Sequence, residues 1–412
     1  MKKTLFGLPS VKRTVLWGLG VTVALQGAIV AVVSTIAWRK RRGQPQGFPH
    51  ERLPDTTVGE NCLQIFSYGR ELFDAMLAAI DAAEESIYLE TFIWKDDAVG
   101  HEFKEHLTRK ADAGVDVYVI FDAFGNLVVP SGFKLFPPSI HALEYRTIRR
   151  PWQALDLRRY ALEHRKLLVV DGKVGFTGGY NLGSLYATEW RDTHLRVEGP
   201  GAAQLAQFFV YFWDDHRPRD ERIARHYPRQ FDPLFVPRGN DALRLAFPIR
   251  DMYIAAIDRA EHYIHITNAY FVPDRALLAS LTAAAARGVD VQVLLPRISN
   301  HTVADWMARR LFAECLDAGI RIFRYKAMIH AKTCTIDGQW STIGSANMDR
   351  LSSLGNHELN IEIYSRKLGR QMEQLFEQDK AYSVELTHGE WSRRPWVAKA
   401  AERILSPLRV LV

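Results

Sequence analysis

The chain has 412 residues, of which 47% are hydrophobic, 11% aromatic and 24% charged. That length is typical of two or three domains, and the composition excludes disordered, collagen-like and coiled-coil proteins. The net charge of +6 is unevenly distributed, because residues 1–42 hold eight Lys or Arg and no Asp or Glu. The rest of the chain carries a net charge of −2, which disfavours a nucleic-acid-binding groove in the folded body.

The first element is a run of 25 uncharged residues, 14–38, which we predict to be a transmembrane helix. At about 1.5 Å per residue this helix is about 37 Å long, enough to cross a hydrocarbon core of about 30 Å. A cleaved signal peptide is the alternative, but the run is longer than the apolar region of a signal and ends at Trp38 and a basic cluster. Four basic residues flank each end, so charge leaves the orientation nearly undecided.

The cysteines bear on where the folded body resides. Cys62, Cys315 and Cys334 are odd in number and share no metal-ligand or C-x-x-C spacing, so neither a disulfide framework nor a cysteine-based zinc site is predicted. Unpaired cysteines suit a reducing compartment. We therefore expect a single-pass protein of the cell membrane, the inner or plasma membrane, with a cytoplasmic body.

Changes in composition along the chain predict its domains. After the anchor, residues 41–54 are rich in Arg, Gly, Gln and Pro, which indicates a tether at the membrane surface. The folded part begins near Thr56, and residues 217–238, loaded with Arg, Asp and Pro, mark a break within it. We expect three regions: an N-terminal anchor over 1–44, a first domain over 45–225 and a second domain over 226–412.

The body contains an internal duplication. Residues 83–94 (AEESIYLETFIW) match 260–271 (AEHYIHITNAYF), and residues 107–122 match 281–296. In both copies of the second block a helical stretch ends at a glycine, and a Val-Asp-Val sequence then opens a buried strand, the order of a parallel β-α-β unit. We therefore expect an α/β fold of two duplicated halves, each a mixed, mostly parallel sheet flanked by helices on both faces.

A third repeated block carries the residues capable of chemistry. Residues 164–192 match 330–358 at a constant shift, and each copy contains the pattern H-x-K-x4-D followed by Asn and a carboxylate. The first copy supplies His164, Lys166, Asp171, Asn181 and Asp192, and the second supplies His330, Lys332, Asp337, Asn347 and Glu358. The pattern is expected by chance about 0.03 times in such a chain, so two copies at matching places indicate function.

The spacing of each copy suits work on an anion. His and Lys two residues apart on a strand project from one face. An imidazole, with a reference pKa of about 6.5, can attack or donate a proton near neutral pH. Lysine supplies a positive charge and asparagine a neutral donor for an anionic oxygen. Two such half-sites brought together by pseudo-two-fold packing would surround one phosphodiester.

The other residues that occur at the same spacing in both copies are predicted to have supporting roles. Asp192 and Glu358 are expected to orient the histidines by binding their far ring nitrogens. The small residues of the Gly-Gly and Gly-Ser steps are expected to let the backbone approach a bulky ligand. Asp171 and Asp337, each followed by glycine, look like turn residues with a supporting role, and direct participation in the chemistry is the alternative.

The two motifs resemble the HKD signature of the phospholipase D superfamily, over about residues 60–412. Within it, LETFIW at 89–94, WRDTHLRVEGP at 190–200 and GSANMD at 344–349 resemble bacterial cardiolipin synthases. The stretch LSSLGNHELN at 351–360 departs from the Arg-Ser-containing sequence of the commonest synthases, which leaves the acceptor open.

The resemblance implies roles for the paired residues. One histidine attacks phosphorus to form a phosphohistidine, and the other protonates the leaving alcohol. His164 is the expected nucleophile and His330 the expected general acid, although the near-equivalent half-sites also allow the reverse. Lys166, Lys332 and the two asparagines would bind the non-bridging oxygens, so no metal or other cofactor is expected.

The resemblance also implies an activity. We expect a membrane-anchored phosphatidyltransferase that converts two phosphatidylglycerol molecules into cardiolipin and glycerol. A phospholipase D that hydrolyses phospholipids to phosphatidic acid is the alternative, followed by a phosphodiesterase or nuclease and by a non-enzymatic scaffold. The expected partners are anionic phospholipids and the membrane, nucleic acid is not expected, and the oligomeric state stays open.

Two further segments bear on access to lipid. Residues 146–165 hold six arginines interleaved with aromatic and leucine side chains, which predicts a surface for anionic head groups, with an ordinary solvated segment as the alternative. Residues 395–412 have apolar positions at helical spacing, interrupted late by Pro407. This C-terminal segment is either an amphipathic helix at the membrane surface or a helix that closes the second domain.

Overall fold

The structure, a computed structural model, describes residues 47–148, 155–225, 227, 231–300 and 302–405, together with positions 27, 31, 35 and 39. The predicted membrane helix 14–38 therefore lies outside the described residues, apart from three isolated positions. Within the described part of the chain, no helix is long and apolar enough to cross a membrane.

The first half is built on an eight-stranded sheet. Its strands are β1 (Thr56–Val58), β2 (Asn61–Phe66), β3 (Ser86–Thr91), β4 (Asp116–Asp122), β5 (Ile140–Tyr145), β6 (Leu167–Val170), β7 (Val174–Gly178) and β9 (His194–Glu198), in the order β1-β2-β9-β7-β6-β3-β4-β5. Its helices are α1 (Gly69–Asp81), α2 (Ala98–Asp112), α3 (Ser184–Thr188) and α4 (Pro200–His216), with 3-10 turns at Leu157–Tyr160 and Arg219–Glu221.

The second half repeats this plan. Its sheet contains β10 (Phe235–Asn240), β11 (Tyr263–Asn268), β12 (Asp290–Pro296), β13 (Arg321–Tyr325), β15 (Lys332–Ile336), β16 (Trp340–Gly344), β17 (Glu358–Tyr364) and β18 (Ser383–Glu385), in the order β10-β17-β16-β15-β11-β12-β13-β18. Its helices are α5 (Pro248–Asp258), α6 (Arg275–Ala286), α7 (Thr302–Asp317), α8 (Arg350–Leu354), α9 (Arg366–Ala381), α10 (His388–Ser392) and α11 (Trp396–Leu405).

The predicted helix-glycine-strand order is confirmed in both halves. Gly114 follows α2 and precedes β4, and Gly288 follows α6 and precedes β12. Both glycines have φ of +92°, a left-handed conformation that side-chain-bearing residues rarely adopt. The glycine therefore ends each helix and turns the chain into the buried strand that follows.

The expectation of mostly parallel sheets is wrong. Only β3-β4-β5 in the first sheet and β11-β12-β13 in the second are parallel neighbours, and the other neighbouring pairs in both sheets are antiparallel. Three-residue turns, 171–173 and 337–339, join β6 to β7 and β15 to β16. Strands joined by so short a turn can pair only in antiparallel fashion, whereas longer connections permit parallel pairing.

The halves share one core between their sheets. On the outer faces, α1 and α2 cover the first sheet, and α5, α6 and α7 cover the second. On the inner faces, apolar side chains from both sheets pack together with α4 and α9, and they include Leu167, Val169, Phe209, Ile343 and Leu359. Leu167 and Val169 of β6 belong to this core directly, and β15 pairs with β16, which contributes Ile343, so the shared core holds the two motif strands relative to one another.

The C-terminal segment forms α11, which packs against α7. The carboxylate of Glu402, 3% exposed, bonds Arg394 and lies 3.8 Å from Arg309 on α7. This contact favours the interpretation in which the helix closes the second half. Residues 406–412, including Pro407, lie outside the described residues.

Candidate active site

Each motif begins immediately before a central strand. His164 and Lys166 precede β6, and His330 and Lys332 stand at the start of β15. The four side chains are buried, with exposures between 0% and 8%. The sequence therefore places both His-Lys pairs at matching ends of two duplicated strands.

Backbone bonds between the halves bring these strand ends together. The short strand β8 (Trp190–Arg191) of the first half pairs in parallel with β14 (Met328–Ile329) of the second. The amide of His330 donates to the carbonyl of Arg191 at 2.6 Å, and the amide of His164 donates to the carbonyl of His357 at 3.0 Å. Each motif histidine is thus held by the backbone of the opposite half.

The carboxylates cross between the halves in the same way. Nδ1 of His164 lies 3.0 Å from both carboxylate oxygens of Glu358, and Nδ1 of His330 lies 2.6 Å from Oδ2 of Asp192. The expected His-carboxylate pairs are therefore in contact, and each joins residues of different halves. A carboxylate on Nδ1 fixes the ring orientation and leaves Nε2 as the nitrogen available for chemistry.

Burial sets the protonation of these pairs. Burial lowers the pKa of His164, against the effect of Glu358, and burial together with Lys332 lowers the pKa of His330 to about 3. Although burial acts in the opposite sense, the nearby cations lower the pKa of Asp192 to about 2, and His164 and Lys166 lower that of Glu358. Both carboxylates are therefore ionised and both imidazoles neutral near pH 7 in the unliganded site.

The two lysines place positive charge next to the histidines. Nζ of Lys166 donates to the carbonyl oxygen of His164 at 2.5 Å, and Nζ of Lys332 donates to that of His330. Nζ of Lys332 also lies 3.0 Å from Nδ1 of His330. Because ionised Asp192 requires a proton on that Nδ1, this second contact is a close approach of a cation rather than a hydrogen bond. Burial lowers the pKa of Lys166 to about 7 and that of Lys332 to about 8.

The asparagines differ in how far the protein already uses them. Oδ1 of Asn181 accepts from the amide of Ile93 at 3.2 Å. Oδ1 of Asn347 is buried and has no hydrogen-bond partner among the described residues. A buried amide oxygen without a partner is uncommon and suits a group that completes its bonds with a ligand or water.

The aspartates of the motifs lie apart from the two histidines and two lysines. Asp171 and Asp337 follow β6 and β15, seven residues beyond the histidines, which is about 20 Å along an extended chain. Each carboxylate accepts three backbone N–H bonds at 2.8–3.0 Å, Asp171 from residues 84–86 and Asp337 from residues 261–263. This placement favours the supporting interpretation, in which each aspartate holds the start of the neighbouring strand.

The space beside the small residues that follow the motifs is filled by other side chains of the protein and is not open to a ligand. A Cβ at Gly179 would lie 2.1 Å from Oδ1 of Asp192, and one at Gly344 would lie 2.2 Å from Oδ1 of Asn360. The expectation that these steps admit a bulky ligand is therefore wrong, because the carboxylate and amide side chains occupy that space.

Three side chains that the sequence did not single out as functional contact the site. The hydroxyl of Ser345 donates to Oε2 of Glu358 at 2.5 Å and accepts from the amide of Leu359 at 3.0 Å. The ring of Phe92 lies 4.8 Å from that of His164, and the ring of Trp190 lies 5.4 Å from that of His330. Phe92 and Trp190 both fall in segments that resemble cardiolipin synthases, which was the available signal.

Comparison with known proteins identifies the family of the chain. A family model described as cardiolipin synthase, PLD-like domain, matches residues 76–213 and 253–380. The chain is 31% identical over 369 residues to the cardiolipin synthase of Staphylococcus aureus (strain Mu50), covering 85% of this chain and 74% of that protein. It is also 31% identical over 379 residues to the cardiolipin synthase of Listeria innocua, covering 85% and 76%. The chain belongs to the phospholipase D-like cardiolipin synthase family. It is accordingly an enzyme of the phospholipase D type, in the phosphatidyltransferase class.

A solved structure shares the fold of this family member. The crystal structure of phosphatidylserine synthase from Haemophilus influenzae Rd KW20 matches 91% of this chain and 96% of its own, with a TM-score of 0.64. The sequences are 15% identical, so the likeness establishes the two-lobed α/β fold.

One part of the expected head-group surface is not at the surface of this family member. Arg165 is 5% exposed and bonds the carboxylates of Glu163 at 2.8 Å and Glu90 at 2.9 Å. Tyr145 is also buried. Arg165 stands between His164 and Lys166 on extended backbone, so its side chain points away from theirs. Arg149, Arg150 and Trp152 of the same segment lie outside the described residues.

The enzyme's described residues include no group of three or more His, Cys, Asp or Glu side chains arranged to hold a metal ion. Positive charge near the paired histidines comes instead from the two buried lysines. The three cysteines are free thiols.

Proposed function

We propose that this enzyme is a membrane-anchored cardiolipin synthase that transfers a phosphatidyl group between two phosphatidylglycerol molecules and releases glycerol. The observation that carries the proposal is the crossing of the halves, in which Glu358 bonds His164 and Asp192 bonds His330. Two imidazoles, two lysines and two asparagines are thereby available to one phosphodiester. The named activity of the similar synthases of Staphylococcus aureus and Listeria innocua supports the choice of product.

In the first step, Nε2 of His164 attacks phosphorus of the donor phosphatidylglycerol. The bond from phosphorus to the glycerol head group breaks, and His330, which takes up a proton from solvent as the anionic phosphodiester binds beside it, gives this proton to the departing oxygen. The products of this step are glycerol and a phosphatidyl group bound to His164. Lys166, Lys332 and the amide N–H groups of Asn181 and Asn347 hold the non-bridging oxygens as charge builds on them.

In the second step, a hydroxyl of another phosphatidylglycerol replaces glycerol at the site. His330, now neutral, removes the hydroxyl proton while the oxygen attacks phosphorus. The bond from phosphorus to His164 breaks, cardiolipin leaves and both histidines return to their first state. Water at the same position would give phosphatidic acid, so the acceptor alone separates a synthase from a hydrolase.

The surroundings of the two rings support this division of roles. The ammonium group of Lys332 lies 3.0 Å from Nδ1 of His330, and a cation there makes a protonated ring a stronger acid. Both rings have an ionised carboxylate on Nδ1, Glu358 on His164 and Asp192 on His330, which increases the basicity of each ring. Among the described residues, the close ammonium contact to Nδ1 is found for His330 and not for His164. His330 therefore suits proton donation, and His164 suits attack.

The anchor and the domain limits belong to the proposal. We assign residues 14–38 to a transmembrane helix that keeps the body, residues 45–225 and 226–412, at the cytoplasmic surface. Placing two arginines in this helix, by Leu25→Arg with Ile29→Arg, is expected to move the full chain from the membrane pellet to the supernatant after alkaline carbonate extraction. Unchanged retention would contradict the anchor.

Product analysis tests the activity. The purified full-length protein is incubated in vesicles of phosphatidylglycerol with a labelled glycerol head group, and lipids are identified by mass spectrometry. Cardiolipin and free glycerol in equal amounts are expected, with a phosphatidyl group on the peptide that contains His164 after acid-free quenching. Phosphatidic acid without cardiolipin would contradict transfer, and the His164→Ala variant controls for contaminating activity.

A further inference from the structure

A loop beside the site exposes an unusual number of large apolar side chains. In the connection between β4 and β5, Phe124 is 60% exposed, Leu127 68%, Val128 83% and Leu135 73%. Single exposed apolar residues are ordinary on soluble proteins, but four within twelve residues form a cluster that water solvates poorly. We call residues 123–139 the apolar loop.

The opposite side of the apolar loop is fixed to the protein. Asn126 is fully buried, and its side chain accepts from the amide of Trp94 at 2.8 Å and donates to the carbonyl of Phe92 at 2.9 Å. Phe133 is also buried, and Lys134 donates to the carbonyl of Asn126 at 3.1 Å, which joins the two turns of the loop. The exposed side chains are therefore carried by a backbone that is held to the body of the protein.

The apolar loop borders the active site directly. A Cβ at Gly125 would lie 2.4 Å from the carbonyl oxygen of Phe92, and the Phe92 ring contacts His164. The buried carboxylate of Asp122 accepts from the amides of both Gly125 and Glu163 at 2.9 Å, so one side chain joins the loop to the residue before His164. One aromatic ring thus separates the loop from the catalytic histidine.

Cationic side chains accompany the apolar ones. Lys134 of the apolar loop and Arg146, which follows β5, share one carboxylate, that of Glu144. This group keeps one positive charge in excess. Apolar tips with a positive border match the interface of a bilayer that contains anionic lipids, where aromatic and aliphatic side chains enter the acyl boundary and cations meet head groups.

We propose that the apolar loop inserts into the membrane interface and holds the active site against the lipid surface. The inference rests on the proposed function in one respect, since a lipid-using site must receive its substrate from the bilayer. A bilayer fits the patch better than a folded partner does, because the side chains project from turns instead of lining a groove. The loop is a second contact in addition to the anchor and acts on how substrate reaches His164.

A depth measurement tests insertion without any turnover. The full-length His164→Ala, Cys62→Ser protein is given one reactive cysteine, Val128→Cys, and labelled with an environment-sensitive dye, while Cys315 and Cys334 remain buried. The matched control is Glu84→Cys, an exposed position near Asp171 at the far end of the sheet. Both proteins are reconstituted in vesicles of phosphatidylglycerol and phosphatidylethanolamine with or without acyl-brominated lipid.

Strong quenching at position 128 and none at position 84 is expected. Equal quenching at the two positions, or none at either, would overturn insertion. Because the proposed membrane helix is present in both proteins, retention on vesicles does not differ between them, and only local depth is compared. The measurement needs no catalysis, so it stands or falls independently of the product analysis.

A turnover ratio tests the consequence for substrate access. Leu127→Ser with Val128→Ser is expected to lower turnover of phosphatidylglycerol in vesicles about tenfold and to leave turnover of short-chain, monomeric phosphatidylglycerol unchanged. An equal fall for both substrates would place the effect in the site and overturn a membrane role. Equal activity of parent and variant on both would also overturn it.

Discussion

The two half-sites are alike where they hold the backbone and different where they hold the histidines. Asp171 and Asp337 have the same φ of +52° and accept bonds from equivalent amides of the neighbouring strand. The residues that bind the rings differ, since Asp192 serves His330 and Glu358 serves His164. The duplication therefore keeps the framework and varies the carboxylates.

Asp192 and Glu358 differ in side-chain length and in the residues that contact them. Asp192 is one methylene shorter and fits against Gly179, where a Cβ would lie 2.1 Å away. Glu358 is longer, and the hydroxyl of Ser345, at the position equivalent to Gly179, bonds one of its oxygens at 2.5 Å. The longer Glu358 side chain has more rotamers, and the hydrogen bond from Ser345 restricts it to the one that contacts His164. Near-identical motifs therefore have unequal surroundings, as the proposed division between an attacking and a proton-donating histidine requires.

The largest effect is expected from removing either histidine, which tests whether the halves form one centre. His164→Ala and His330→Ala should each lower kcat by at least about 10⁴-fold, and the double variant should be scarcely worse, because residues that act as a unit lose their effect together. Cardiolipin formation from labelled phosphatidylglycerol measures all three. Losses that multiply in the double variant would indicate two separate sites.

Substitution of the small residues sharpens the comparison of carboxylates. Gly179→Ala should lower kcat about 100-fold, because its Cβ displaces the buried Asp192 from His330. Ser345→Ala, which removes one hydrogen bond to Glu358 and creates no clash, should lower kcat about tenfold.

Ser345→Thr, which keeps the hydroxyl, is the matched control and should retain more activity than Ser345→Ala. Thermal unfolding of each variant separates misplaced carboxylates from lost folding. A Gly179→Ala enzyme as active as the parent would show that the site tolerates a displaced Asp192.

The internal duplication could be predicted from the sequence, and so could the common face of His and Lys within each motif. Both follow from local properties, the equal spacing of the two copies and the two-residue period of a strand. The same rule applied to Arg165 places it on the face opposite His164, where the structure finds it buried against Glu90 and Glu163. Treating the whole segment 146–165 as one surface overlooked that alternation.

The crossing of the halves could not be predicted from the sequence. Asp192 lies 28 residues after His164 and 138 before His330, and nothing in the spacing says which ring it reaches. That choice follows from how β8 pairs with β14, a contact between distant segments. By contrast, the antiparallel pairing of β6 with β7 and of β15 with β16 could have been predicted from the short turns that begin at Asp171 and Asp337.

The pH dependence of kcat/KM tests the role of the two lysines, one from each half, as cations. Burial lowers the pKa of Lys166 to about 7 and of Lys332 to about 8, and each lysine is cationic only below its pKa. The value of kcat/KM, which reports the free enzyme, should therefore fall above about pH 7 to 8, by up to about tenfold per pH unit for each lysine that loses its proton. Initial rates across pH 6 to 10 measure this decline.

The same decline in kcat should begin at higher pH, because a bound phosphodiester stabilises the charged lysines. Lys166→Arg keeps the positive charge at every pH in this range and should move the fall in kcat/KM from near 7 towards 8. A profile that is flat up to pH 10 in the parent enzyme would contradict the role of the lysines as titrating cations.

The smallest effect on catalysis is expected from the two aspartates of the turns, where the halves are most alike. Asp171→Ala and Asp337→Ala each remove an acceptor for three backbone N–H groups, so each should lower the free energy of unfolding by about 1–3 kcal/mol. Turnover per folded molecule at 20 °C should stay within about twofold, since each side chain is about 20 Å of strand away from its histidine. Calorimetry and cardiolipin formation measure the two quantities, and Asp171→Asn, which keeps one acceptor oxygen, should be intermediate in stability. A loss of turnover comparable to that of His164→Ala, with unchanged unfolding, would instead give the aspartates a direct part in the reaction.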